Sequence, residues 1–227
     1  MTTYLGQAGQ DGFVINILKQ KKDGYFLEIG SNEPVYINNT YKLETEYNWK
    51  GIMVEYDTGF LPVYQTQRNK SIHLMNDARN IDYNAELKKA NFPTNIDYLQ
   101  IDLEVDHKST LDVIEIFNDT VFGEYKFATV TFETDIYRGD YFNTRARSRE
   151  IFETHGYVRV FSDVMLSLPE IGLGDCPFED WYVHPDLVDM DLINQIKHDG
   201  PIHFKDILRK FHSENTTDNH FRFGGGL

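Results

Sequence analysis

Five apolar runs in this chain each end on a carboxylate: Gly24–Glu28, Gly51–Glu55, Ser71–Asp77, Ile96–Asp102 and Phe127–Glu133. Each is short and apolar enough to be a strand buried on both faces, which is the pattern of a parallel sheet. The segments between them carry helical spacing, and strand alternating with helix calls for a parallel sheet with right-handed crossovers. In an open α/β sheet ligands bind beyond the carboxyl ends of the strands, so the five acids are expected around one site. A rim built of acids is ill suited to a phosphate. It suits a ligand with hydroxyls, an amine and a positive centre.

Boundaries follow from capping and breaking residues. A leading helix is expected over residues 10–22, stopped by Asp23-Gly24, and then a strand Tyr25–Ile29 and a loop 30–39 holding Pro34. A helix at 40–49 precedes the strand ending at Glu55; residues 59–68 are a short crossover, and a third strand runs from Ser71 towards Asn76. A helix at 84–91, a strand at 98–101, a helix capped by Ser109 and a strand at 128–132 continue the alternation. An Arg-rich helix over 140–155 is stopped by Gly156. Strands at 157–161 and 181–183, joined by the Gly/Pro-containing stretch 167–178, read as a hairpin that adds an antiparallel strand. Helices near 187–198 and 203–212 follow. The reading is one domain over 1–212 with its core at 24–184, and a polar tail 213–227 expected to be mobile.

The 227 residues include 36 acidic and 22 basic side chains, a net charge of -14. That argues against a nucleic-acid partner, which needs a cationic face. Arg138, Arg145, Arg147 and Arg149 read as a solvated helix face. Cys176 is the one cysteine, so no intrachain disulfide and no cysteine metal site is indicated. The N-terminus lacks a secretory pattern and no apolar run has the length of a membrane span, so a cytoplasmic protein without a membrane partner is expected, homo-oligomerisation being left open.

Gly30, directly after the first strand, allows a ligand to approach the backbone. It is not part of a Gly-x-Gly-x-x-Gly fingerprint. Glu55, ending the second strand, can accept from two ribose hydroxyls, which indicates a nucleoside without naming the cofactor. Asp77 can accept from an adenine amino group while the Ala78 N–H donates to the ring. Asp102, Glu104, His107, Glu133, Asp135 and His184 are the rim residues able to move a proton, with Asp102 and Glu133 favoured because they end adjacent strands. Asp102, Glu133 and Asp135 could together hold magnesium. Tyr36, Tyr56 and Tyr137 could stack on a sugar or purine, and Trp181-Tyr182-Val183-His184 could line an acceptor pocket.

Four blocks together resemble the FkbM-like group of class I S-adenosylmethionine-dependent methyltransferases. They are Gln7–Phe13, Gly24–Asn32 continuing to Asn39-Thr40 and Leu43-Glu44, Trp49–Glu55, and Ile96-Asp97-Tyr98-Leu99-Gln100-Ile101-Asp102-Leu103-Glu104, and the similarity spans residues 4–160. Pro34 and Val105 stand where the family carries glycines. The resemblance implies a Rossmann-like fold: a mostly parallel seven-stranded sheet with an antiparallel last strand and helices on both faces. It assigns Gln10, Glu28, Gly30, Ser31, Asn32, Glu55, Tyr56, Asp77, Ala78 and Asp102 to S-adenosylmethionine, with Glu28 near the amino group. Asp102 and Glu133 would be catalytic, and Glu104, His107, Asp135, Tyr137 and His184 would meet the acceptor. The expected activity is O-methylation of a small acceptor, a sugar, nucleotide-sugar or glycan. The alternatives are an S-adenosylmethionine-binding or scaffold domain without turnover, and a nicotinamide-dependent Rossmann enzyme.

Overall fold

Each apolar run forms a strand in the computed structural model, which describes residues 2–103, 106, 108–211 and 221–223. In chain order the elements are β1 (Thr2–Tyr4), α1 (Gln10–Ile17), β2 (Tyr25–Ile29), α2 (Tyr41–Tyr47), β3 (Lys50–Glu55), α3 (Leu61–Gln67), β4 (Ile72–Met75), α4 (Tyr83–Lys89) and β5 (Asn95–Ile101). They continue as α5 (Ser109–Ile116), β6 (Lys126–Glu133), α6 (Thr144–Thr154), β7 (Val158–Leu168), β8 (Leu173–Val183), α7 (Met190–Ile196), β9 (Ile202–His203), α8 (Phe204–Lys210) and β10 (Phe221–Phe223). Eight strands form one sheet in the order β4-β3-β2-β5-β6-β8-β7-β9. Strands β2 to β6 are parallel, and β8 runs antiparallel to both β6 and β7. The expected α/β Rossmann-like class is therefore present, with the short β9 adding an edge strand to the seven anticipated.

Alternation along the strands divides the core into two layers. Phe26, Met53, Tyr98 and Trp181 pack on one face with Phe13 and Val14 of α1 and Leu208 of α8. Leu27, Ile52, Leu99 and Phe132 pack on the other with Leu87 of α4, Ile114 of α5 and Phe152 of α6. Each such fully buried side chain contributes roughly 1.5–3 kcal/mol. Because Glu28, Gln100 and Glu133 are in step with Phe26, Tyr98 and Thr131, these polar residues lie on the α1 face.

Several local readings need correction. α1 stops at Ile17, because Lys19 (φ 51) and Gln20 (φ 58) turn left-handed and Gln20 N–H donates to Ile15 O at 2.8 Å. Ser109 is the first residue of α5 and not its cap; its hydroxyl donates to Asp106 O at 2.8 Å. The stretch 167–178 is mostly strand: β7 and β8 have 11 residues each and meet at a 3-10 turn ending on Gly172 at φ 77. Register shifts along this hairpin break the alternation that would have marked it. Gly156, at φ 81, terminates α6 as its sequence position implies. Within the expected tail, β10 pairs in parallel with β1. Glu104, Val105, His107 and the rest of that tail lie outside the described residues. Among the described residues no helix is long and apolar enough to cross a membrane.

Candidate functional site

Beyond the carboxyl ends of β2, β3 and β5 lies a cavity of about 360 Å³. Glu28, Gly30, Ser31, Asn32, Glu55, Tyr56 and Asp102, all singled out in the sequence, line it together. Four of its lining side chains are carboxylates, Glu28, Glu55, Asp57 and Asp102, and none of the described lining residues is a lysine or arginine. Two further wall residues, Asn39 and Gln100, are buried, and neither Asn39 Oδ1 nor Gln100 Oε1 has a hydrogen-bond donor among the described residues. Buried acceptors normally find a partner. The cavity therefore favours a ligand that donates hydrogen bonds and carries positive charge.

Glu28 is 1 % exposed and accepts from Asn38 Nδ2 at 3.3 Å. Burial pushes its pKa up, and the nearby Arg68 guanidinium opposes that. Arg68 itself went unnoticed in the sequence because Gln65–Lys70 is polar throughout and looks like surface. Glu55 is held by backbone donors, Asn32 N–H on Oε2 and Asp57 N–H on Oε1, both at 2.8 Å. Pro34, where the resembling family has glycine, is buried and its carbonyl accepts from Arg68 Nη1 at 3.2 Å.

Gly30 has a stricter reason to be glycine than ligand approach. Its φ is +81°, and a Cβ there would fall 1.6 Å from the Asp102 carbonyl oxygen. The turn after β2 and the end of β5 touch at this point, which places Asp102 beside the β2 loop.

Gln10, Asp77 and Ala78 are not among the cavity walls. Asp77 caps the turn at Ala78–Asn80, accepting from Arg79 N–H at 2.9 Å, and pairs with the Arg79 guanidinium at 2.8 Å. That hydrogen bonding from Arg79 holds its carboxyl below the usual range. Gln10 is buried behind the cavity, where its Nε2 donates to Glu179 Oε1 at 2.9 Å.

The residues proposed for proton transfer separate into two layers. Asp102 faces the cavity half-buried, whereas Glu133 is 0 % exposed behind it. Burial and the adjacent Asp102 carboxyl raise the Glu133 pKa far above its ordinary value. Tyr137 donates its hydroxyl to Glu133 Oε1, and Arg138 Nε donates to the Tyr137 oxygen at 2.9 Å. Asp135 is buried in a left-handed turn at φ 56, its Oδ1 3.8 Å from Arg138 Nε. Among the described residues no group of three or more histidine, cysteine or acidic side chains is arranged to hold a metal ion, Asp102, Glu133 and Asp135 included.

His184 does not reach this site. Because β8 is antiparallel, its last residues lie at the opposite edge of the sheet: Val183 pairs with Thr129, and His184 N–H donates to Ala128 O at 3.1 Å. The same reversal brings Glu179 opposite Glu133. Glu179 was missed, although counting back along an antiparallel partner from Glu133 points to that end of the strand. It is fully buried, accepts from Trp181 Nε1 and Gln10 Nε2, and burial pushes its pKa up to about 8.

No family model matches the chain, and no curated protein matches it in sequence. Among solved structures, the chain is similar to one assigned as a DNA modification methyltransferase encoded within a prophage (E. coli), with a TM-score of 0.52 at 11 % identity over 75 % of this chain and 50 % of that one. Precorrin-6y C5,15-methyltransferase from Geobacter metallireducens gives 0.49 at 12 % identity, covering 76 % and 86 % of the two chains. A 1,6-didemethyltoxoflavin N1-methyltransferase from Burkholderia thailandensis, solved with S-adenosylhomocysteine, gives 0.46 at 10 % identity, covering 77 % and 76 %. The first likeness shows a shared Rossmann-like methyltransferase fold.

Proposed function

We propose that this chain, as one domain over 1–212, binds S-adenosylmethionine in the cavity and transfers its methyl group to a hydroxyl of a small acceptor, in the manner of the FkbM-like group. The observation that carries the reading is a cavity with four carboxylates and no cationic side chain among its described walls. A dinucleotide would bring a pyrophosphate to these acids, and the site has one glycine, Gly30, in place of the fingerprint. S-adenosylmethionine brings an ammonium, two ribose hydroxyls and an electrophilic methyl on a positive sulfonium. Glu28, Asn39 and Gln100 are acceptors suited to the ammonium; Glu55, already oriented by two backbone N–H groups, is suited to the ribose. Asp77 and Ala78 would meet the adenine once the Arg79 guanidinium, which holds both Asp77 oxygens and also pairs with Asp106, turns away.

Methyl transfer is an in-line displacement that depends on holding nucleophile and carbon together. Asp102 is the cavity-facing carboxylate able to accept the acceptor's hydroxyl proton. Glu133 lies behind it, and the mutual repulsion of the two carboxyls makes its role that of setting the charge of Asp102. A net charge of -14 and the absence of cations in the described cavity wall support a neutral or cationic acceptor, a sugar or glycan hydroxyl, over a nucleic acid. The burial of Glu133 favours one second reading, a binding domain without turnover.

Incubation with methyl-tritiated S-adenosylmethionine and a panel of sugars, glycans, nucleotide-sugars and RNA tests this. Label is expected in a neutral hydroxylated acceptor, with activity lost in Asp102→Asn. Thermal stabilisation by S-adenosylhomocysteine without label in any acceptor would instead support the binding domain. Label in RNA would overturn the acceptor class.

A further inference from the structure

Arg68 follows α3 and is 0 % exposed, a buried arginine beneath a cavity whose described walls carry no cation. Its guanidinium reaches into the 34–44 segment, which includes the cavity-wall residues Asn38 and Asn39. Nε donates to Glu44 Oε2 at 3.0 Å, Nη1 to Pro34 O at 3.2 Å and Asn38 Oδ1 at 2.9 Å, and Nη2 to Thr40 Oγ1 at 2.6 Å. Glu28 Oε2 lies 4.0 Å from Nη1, and among the described residues Arg68 is its one ion-pair partner. Asn38 joins the two. With Oδ1 receiving Arg68 and the Thr40 and Tyr41 N–H groups, its Nδ2 is left to donate to Glu28 Oε2 at 3.3 Å and Ser31 O at 3.1 Å.

We propose that Arg68 is the positioning residue for amine recognition: it fixes the Asn38 amide and supplies the buried positive charge that lets Glu28 face the cavity as a carboxylate. The proposal rests on the reading of the cavity as an S-adenosylmethionine site. A buried charge is costly unless paired and hydrogen-bonded. Glu44 neutralises Arg68 from α2, so charges alternate from the ligand ammonium through Glu28 and Arg68 to Glu44. Among the described residues the other titratable groups around Glu28 are Glu55 and Asp102 in the same cavity wall, Tyr64 of α3 and Tyr98 of β5, with Asp11 and Glu179 further along the same face. None of these is a cation. Without Arg68, burial acts on Glu28 against hydrogen bonds from Thr40, Asn38 and Ser31 alone, so its pKa rises further, and a protonated Glu28 cannot pair with an ammonium.

The test compares S-adenosylhomocysteine with 5′-methylthioadenosine, which keeps the nucleoside and lacks the amino acid, by calorimetry on wild type and Arg68→Met. Loss of a charge-assisted pair predicts at least about a tenfold loss of S-adenosylhomocysteine affinity near neutral pH. Part of it should return as the pH is raised and Glu28 ionises. 5′-Methylthioadenosine affinity should stay within about twofold, since its contacts lie elsewhere. Equal weakening of both ligands, flat with pH, would mean a merely structural role and would overturn the proposal. A second readout needs no ligand: the Glu28 carboxyl carbon, followed by carbon-13 NMR and assigned with Glu28→Gln, should titrate at higher pH in Arg68→Met. An unmoved titration overturns the proposal, and wild type binding neither ligand overturns the cofactor reading alone. If Arg68→Met does not fold, Asn38→Ala, which cuts the bridge and keeps Arg68, should show the same selective loss, and a loss shared by both ligands would refute it.

Discussion

Alanine at Gly30 is expected to destabilise the protein by about 2–5 kcal/mol, the sum of left-handed backbone strain and overpacking. The strain follows from φ +81°, and the overpacking from a Cβ placed 1.6 Å from the Asp102 carbonyl oxygen. For a chain of 227 residues that corresponds to a fall in melting temperature of roughly 5–20 °C. Gly156 is the internal control: it has the same φ of +81°, but beyond its own chain neighbours no atom lies within 4 Å of where a Cβ would stand. Gly156→Ala should therefore show the strain alone, about 1–2 kcal/mol. Urea or thermal denaturation of the two variants side by side separates the terms. Equal losses would mean that the β2 loop and the end of β5 do not meet as described. Gly30→Ala should also weaken ligand binding, because it displaces Asp102.

Folding stability is expected to fall as pH rises from about 5 to 8, and Glu179→Gln should remove much of the slope. Glu179 titrates in the folded protein at about 8, against an ordinary value of 4.5, and Asp11 at about 6 against 3.8, both chiefly through burial. The folded state thus keeps protons that the unfolded chain has already released. Stability from these groups is fully present below their unfolded values and is lost on the way up to the folded ones. One such proton corresponds to about 1.4 kcal/mol per pH unit, so Glu179 alone accounts for a loss of up to about 5 kcal/mol. Denaturation across this pH range should show the decline in wild type and a slope smaller by about one proton in Glu179→Gln. That variant carries its own cost of about 1–3 kcal/mol at all pH values, because its amide cannot accept from both Gln10 and Trp181. An unchanged slope would show that Glu179 is ionised in the folded protein.

The parts of this fold visible in the sequence are those where one residue pattern has one physical cause. Tyr25–Ile29 and Gly51–Glu55 are buried on both faces, so their apolar runs mark the strands without help from the rest of the chain. The acids that close β2, β3 and β5 were legible for the same reason, since a strand end fixes where its last side chain lies. Long-range pairing was not. Expecting an antiparallel strand at 181–183 was sound, yet the direction of β8 decides which end meets the site. His184 was accordingly placed wrongly and Glu179 was overlooked. Arg68 had no local signal, because its partners are 24 to 40 residues away in sequence and spread over Glu28, Pro34, Asn38, Thr40 and Glu44. Gly30 was recognised as special for a ligand, but the carbonyl that excludes a side chain there comes from another strand.

Calorimetric titration of the wild-type chain and of Glu28→Gln with S-adenosylhomocysteine and with NAD tests the central claim most directly. Binding of one S-adenosylhomocysteine per chain is predicted, weakened at least about tenfold by Glu28→Gln through loss of a charged partner, with no heat from NAD. Binding of NAD without S-adenosylhomocysteine, or S-adenosylhomocysteine binding indifferent to Glu28→Gln, would contradict it.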